Sequence, residues 1–166
     1  MKLASLILSI ASALTLSIHA DVSPIHMTVE QISKTETNAK DKTHHDKTQV
    51  RSLKIQLNNN STESFDGLTV KYWFFGHGVK EHIAKPISEG ERKSTLAPRG
   101  KDIVESEVVS KHYVEEHTAP AKGKGGKATK VPASGDKIVG YAVRVMKDGK
   151  VLAEYYSEAA YKTLIK

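Results

Sequence analysis

Apolar and polar positions alternate in short runs along most of the chain, and a period of two predicts strands. Leu53, Ile55 and Leu57 alternate with Ser52, Lys54 and Gln56, and Asn58 to Ser61 closes that run. After an Asp66-Gly67 turn, Leu68, Val70, Tyr72 and Phe74 share one face of a strand, while Thr69, Lys71, Trp73 and Phe75 share the other. A strand apolar on both faces is central and covered on both sides, here by a short terminal helix around Tyr161 and Leu164. Trp73 is then core; the alternative is an exposed platform on which a sugar ring stacks.

The remaining pattern completes a series of strands. His26 to Ser33 alternates loosely and predicts a first strand. Lys34 to Gln49 has Ala39 as its only apolar residue, so it is expected to be a long loop or tether, with a domain boundary near Val50. Gly76-His77-Gly78 breaks the central strand, and a short edge strand is expected between Val79 and Ile87. Leu96 to Gly100 is a turn leading into one long strand over 103–114, with Val104 and Val108 facing inward together. Thr118 to Lys137, rich in Ala, Gly, Pro and Lys, is a loop. Val139, Tyr141, Val143 and Val145 alternate, Asp148-Gly149 suits a tight turn, and Val151 to Tyr156 returns as a hairpin partner. Tyr161, Leu164 and Ile165 fall at helical spacing behind Ser157 and Glu158.

Six or seven strands with no run long enough for a βαβ crossover predict an all-β chain, a single immunoglobulin-like antiparallel β-sandwich with a short C-terminal helix. The division expected is a signal peptide over 1–20, an N-terminal strand and polar tether over 21–49, and the sandwich domain over 50–166. The signal peptide rests on Met1-Lys2, the apolar run from Leu3 to Ile18 and the small Ala20 before Asp21. That run is shorter than the roughly 20 residues a bilayer span needs, so no membrane span is expected once the leader is cleaved. The protein is therefore expected to be exported to the periplasm, the cell surface or the medium.

The sequences LKIQLNNNS, FDGLTVKYWFF, LAPRGKDIVESEVV and GYAVRVMKDGKVLAEYYS follow one another in that order. They resemble the small exported immunoglobulin-like or fibronectin-type modules of Gram-negative bacteria, some of which are encoded with genes for type IV pilus-like filaments. The resemblance spans residues 50–157 and lies in pattern. It implies a non-catalytic role at the cell envelope, associated with a pilus or with adhesion, with an envelope or filament protein as partner.

Composition narrows the chemistry. The 166 residues carry 25 Lys and Arg against 19 Asp and Glu, and no cysteine. Disulfides, thiolate metal sites and cysteine nucleophiles are excluded outright. Lys122, Lys124, Lys127 and Lys130 stand in the Gly-rich loop, where Ala121 and Ala128 occupy the positions of the first glycine and the hydroxyl of a phosphate-binding loop. Nucleotide binding is therefore not expected. The loop instead fits an acidic glycan or other polyanion, with Trp73 as its platform, which is the alternative function. The plainer reading is solvation, or pairing with the acidic run Asp102, Glu105, Glu107, Glu115 and Glu116 that precedes it.

Histidines 77 and 82, like 112 and 117, are five apart, which places each pair on opposite faces of a strand. No metal or cofactor is expected, although His44-His45-Asp46 could hold an ion adventitiously. Glu105 and Glu107 would share one strand face, but carboxylates pointing the same way do not flank a sugar from two sides. A small hydrolase would need Glu105, Glu107 or His112 to converge in a cleft; no catalytic residues are assigned and an enzyme is not expected.

Overall fold

The computed structural model describes residues 23–38, 45–81, 83–119 and 127–165. The expected signal peptide, Lys122 and Lys124, and histidines 44 and 82 lie outside the described residues. The described chain is an all-β antiparallel sandwich with a short 3₁₀ helix at its C-terminal end.

Eight strands form one hydrogen-bonded path that folds over into two layers. The first layer holds β1 (Ile25–Thr37), β2 (Asp46–Asn59), β5 (Lys101–Glu105) and β6 (Val109–Val114), with β5 and β6 following one another along the same edge of β2. The second holds β3 (Phe65–Gly78), β4 (Lys85–Leu96), β9 (Ser134–Lys147) and β10 (Lys150–Tyr156), in the spatial order β4-β3-β9-β10. The layers join where β6 meets the start of β9, at Tyr113↔Gly135 and Val114↔Ser134. A separate two-stranded ladder pairs β7 (His117–Ala119) with β8 (Thr129–Val131).

The alternating residues of the two layers face each other. Leu53, Ile55 and Leu57 of β2 pack with Leu68, Val70, Tyr72 and Phe74 of β3 and with Val143 and Val145 of β9. The opposite face of β3 makes a second, smaller core: Trp73, Phe75 and Ala142 are covered by Tyr161 and Ile165. The 3₁₀ helix Ala159–Leu164 carries Tyr161, whose ring stacks on Phe75 at 4.4 Å and 15°. The terminal segment thus covers the central strand as expected, with Ile165 buried where Leu164 was expected; Leu164 is left 36% exposed. The hairpin at the other end also forms as expected, and both Asp148 (φ 49°) and Gly149 (φ 80°) adopt the positive φ of its two-residue turn.

The short edge strand expected between Val79 and Ile87 is instead the twelve-residue β4, and three further expectations differ from the structure. The tether over 34–49 is strand at residues 34–37 and 46–49, and the boundary placed at Val50 falls inside β2. Thirteen register pairs run from Ile25↔Asn59 to Thr37↔Lys47, so main-chain hydrogen bonds hold a ribbon whose side chains have little to bury. Ile25 is 2% exposed and joins the main core, and residues 25–29 are part of the sandwich.

Secondly, the long strand over 103–114 is two strands, and Val108 is 66% exposed while Val109 is buried. Ser106 stands opposite Leu53, yet Val109 pairs with Arg51, so three steps on one strand match two on the other. That extra residue is a bulge, and it inverts the inward parity after Val104. Ser106 holds the bulge: its Oγ accepts the Leu53 N–H at 2.8 Å and its N–H donates to the Leu53 carbonyl at 2.9 Å. Thirdly, the loop over 118–137 is strand where β8 and the first residues of β9 form.

Candidate functional site

Trp73 lies on β3 between β4 and β9, paired with Glu89 and Ala142. It is 7% exposed, which leaves its indole no free face for a sugar ring. Its Nε1–H donates to Glu89 Oε2 at 3.1 Å, and the Arg144 guanidinium sits 5.8 Å from the ring centroid. The edge of the indole, with Lys71, Pro86, Glu89, Glu91, Leu164 and Ile165, borders an open groove of about 440 Å³.

A polar network that the sequence did not single out reaches Trp73 through Arg144. Arg144 Nη2 donates to the Tyr156 hydroxyl at 3.1 Å, and that hydroxyl donates to Glu154 Oε2 at 2.8 Å. Lys162 also bonds Glu154. The Lys162 hydrogen bond holds the Glu154 carboxyl below its ordinary pKa, against the opposing effect of burial, with Tyr156 and Arg144 adding to the lowering. Each polar group in this set is engaged by another, so the network ties the terminal helix to the sheet.

Of the lysines in the expected loop, Lys130 meets the acidic flank. Lys130 Nζ meets Glu116 Oε1 at 2.8 Å, across the ladder of β7 and β8. Lys127 is exposed. Glu115 is held between Lys47 at 2.8 Å and Lys137 at 3.4 Å, and the hydrogen bond from Lys47 is the main cause of its lowered pKa, with burial opposing. Of the five residues offered for ligand binding, Trp73 lies in the second core, Lys130 is ion-paired and Lys127 is exposed, while Lys122 and Lys124 are outside the described residues.

The carboxylates and histidines are separated as well. Glu105 ends β5, whereas Glu107 stands in the bulge and pairs with Arg92 at 3.1 Å. His112 bonds Asp46, and the rings of His45 and His117 stack at 4.5 Å. Among the described residues no group of three or more His, Asp or Glu side chains is placed to hold a metal ion. Nor is any helix among them long and apolar enough to cross a membrane.

The sheet edges differ from one another in how they are closed. β4 carries Pro86 and the charges Lys85, Glu89, Glu91, Arg92 and Lys93, and its pairing with β3 shifts register twice. β10 is seven residues long with a register shift between Val151 and Ala153, and its Leu152 carbonyl accepts the Ser23 hydroxyl. β5 is five residues long, and Ser94 of β4 donates to its Asp102 at 2.6 Å. Proline, charge, bulges and brevity are the usual means of blunting an edge. β1 has none of the structural ones: its thirteen pairs are uninterrupted, it has no proline, and it is long.

The hydrogen bonds of β2 fix which groups of β1 face outward. Leu53 exchanges bonds with Ser106, and the Asn59 N–H donates to the Gly100 carbonyl at 2.9 Å, so odd-numbered residues of β2 direct their main chain toward β5 and β6. Even-numbered ones bond β1, where their partners are also even, such as Ser52↔Ile32 and Lys54↔Glu30. The odd residues Val29, Gln31, Ser33, Thr35 and Thr37 therefore turn N–H and C=O away from the sheet. At the head of the strand Ser23 Oγ already closes Ile25, accepting its N–H at 3.3 Å and donating to its carbonyl at 3.0 Å. Met27 follows the same parity, so the outward ladder lies between Met27 and Thr37, and among the described residues no strand pairs with it.

No protein-family model matches the chain. No curated protein matches it in sequence. A crystal structure from Akkermansia muciniphila is similar with a TM-score of 0.37 and 16% identity, the match covering 81% of this chain and 70% of that one.

Proposed function

We propose that this is an exported, non-enzymatic immunoglobulin-like module that makes protein contacts at the cell envelope by accepting a strand along β1, as an accessory of a pilus-like filament or an adhesion protein. The observation that carries the reading is the long, unbroken outward ladder of β1, beside a β5 and β10 that are short and a β4 that is bulged and carries proline and charge. Strand addition takes its affinity from main-chain hydrogen bonds and its selectivity from alternate side chains, and requires no pocket. The apolar leader supports export, and the resemblance to envelope modules supports the setting. The polyanion reading has less behind it, since Lys130 is engaged by Glu116 and Trp73 is covered.

The test is a photo-crosslinking residue placed at Thr35 on β1, at Glu91 on β4 or at Lys127, in the full chain expressed in an exporting Gram-negative cell. Discrete protein adducts are expected from Thr35 and not from Glu91 or Lys127. Adducts from Lys127 alone, or none from Thr35, would contradict the reading.

A further inference from the structure

We infer that the strand received by β1 is β1 of a second copy of this chain, the two running antiparallel about a two-fold axis at Ile32. The inference rests on the reading of β1 as the contact edge and names its occupant.

The outward groups set the register. Antiparallel strands exchange bonds between residues that both face the interface, so odd must meet odd. A two-fold axis at Ile32 places Gln31 opposite Ser33, Val29 opposite Thr35 and Met27 opposite Thr37, each pair drawn from the odd-numbered, outward set, and it lies midway along that ladder. Ile32 itself then sits on the axis as a non-hydrogen-bonded pair, where facing side chains come closest, about 4.5 Å between Cα atoms. That explains an isoleucine 51% exposed in the middle of a polar segment.

Charge selects the same arrangement. The exposed face of β1 reads Thr28, Glu30, Ile32, Lys34, Glu36. About Ile32, Glu30 of each copy faces Lys34 of the other, twice by symmetry, on either side of an apolar pair. Moving the axis to Glu30 or Lys34 sets like charge on like charge, moving it to Ser33 opposes Glu30 to Glu36, and moving it to Gln31 gives up both Glu30–Lys34 pairs by setting Glu30 against Ile32 and Lys34 against Thr28. A one-residue slip opposes outward to inward main-chain groups and turns the faces over. A self-complementary patch of this kind is what an isologous interface requires. The Lys34 ammonium lies 2.7 Å from Glu36 within its own strand and is 72% exposed, so it is free to turn to the partner's Glu30 at little cost.

The test uses the exported, processed chain purified from the periplasm or medium and analysed by sedimentation velocity over a dilution series. A concentration-dependent dimer is expected. Glu30→Lys and Lys34→Glu should each weaken it by roughly tenfold or more, because each sets like charges opposite one another twice. The double variant should recover the dimer, and mixing the two single variants should give the heterodimer in preference to either homodimer. Ser33→Pro removes an outward N–H that the monomer does not use, so it should abolish the dimer while leaving the thermal transition of the monomer in place. A dimer indifferent to the charge exchange, or a chain monomeric throughout, would overturn the inference. A monomeric chain that still gives foreign adducts from Thr35 would overturn self-pairing alone; a monomer with no adduct from Thr35 would overturn the contact edge as well.

Discussion

Phe75→Ala is expected to lower the unfolding free energy by about 3–5 kcal/mol, the range for removing a fully buried aromatic ring. Phe75 is 0% exposed, and it lies on the face of β3 that would be solvated if the sandwich had only its two layers. The Tyr161 ring stacks on it at 4.4 Å, and Trp73, Ala142 and Ile165 complete the cluster. Truncation leaves a cavity that closes only in part, because Trp73, Tyr161 and Ile165 around it are themselves packed against the sheet. Leu164→Ala, at a residue 36% exposed, should cost well under half as much. Urea unfolding of the two variants decides the matter. Equal small losses would mean that the terminal segment does not fold cooperatively with the sheet.

Gly135→Ala is expected to cost about 3 kcal/mol or more, combining backbone strain with overpacking. Gly135 has φ +86°, a region that an L side chain adopts with strain. A Cβ there would stand 2.3 Å from the His112 carbonyl oxygen and 2.8 Å from the Tyr113 Cα, so the clash is with main chain that cannot swing aside. The position matters because Tyr113↔Gly135 is one of the two pairs joining the layers. Gly67 provides the control. Its φ is +68° but nothing lies within 4 Å of its Cβ position, so Gly67→Ala should cost only the strain, about 1 kcal/mol. Chemical denaturation of both variants reads the difference; equal losses would remove the clash as the cause.

Much of the sandwich was legible because its strands bury one face and show the other. Leu53 to Leu57, Leu68 to Phe74 and the closing hairpin carried that signal, and the double-faced pattern of β3 announced its second cover. The signal failed where main-chain pairing rather than side-chain burial holds a strand. Residues 34–37 and 46–49 have nothing apolar to alternate, yet the β1–β2 ladder continues through them. It failed again at Ser106, where one inserted residue reversed the parity that Val104 and Val108 were expected to share.

The candidate site was less legible, for related reasons. Lysines clustered in sequence drew attention, but Lys130 is matched by the acidic flank that adjoins it. Arg144, Tyr156 and Glu154 form their network only because β9 and β10 are paired, and no spacing in the chain displays that. The pattern Glu30-x-Ile32-x-Lys34 was present in the sequence throughout. Its meaning depends on knowing that β1 is an edge and which of its amides face outward, and both follow from the bonds β2 makes on its other side.

The central claim is that the contact is made by the outward ladder of β1, and residue-resolved amide hydrogen exchange tests it most directly. In the dilute, dissociated protein the N–H groups of even-numbered Glu30, Ile32 and Lys34 should be protected by β2, while those of Val29, Gln31, Ser33 and Thr35 exchange quickly. On association the odd-numbered set should become protected as well, removing the alternation. Persistence of fast exchange at Gln31 and Ser33 in the associated state, or new protection confined to β4 or β10, would contradict the account.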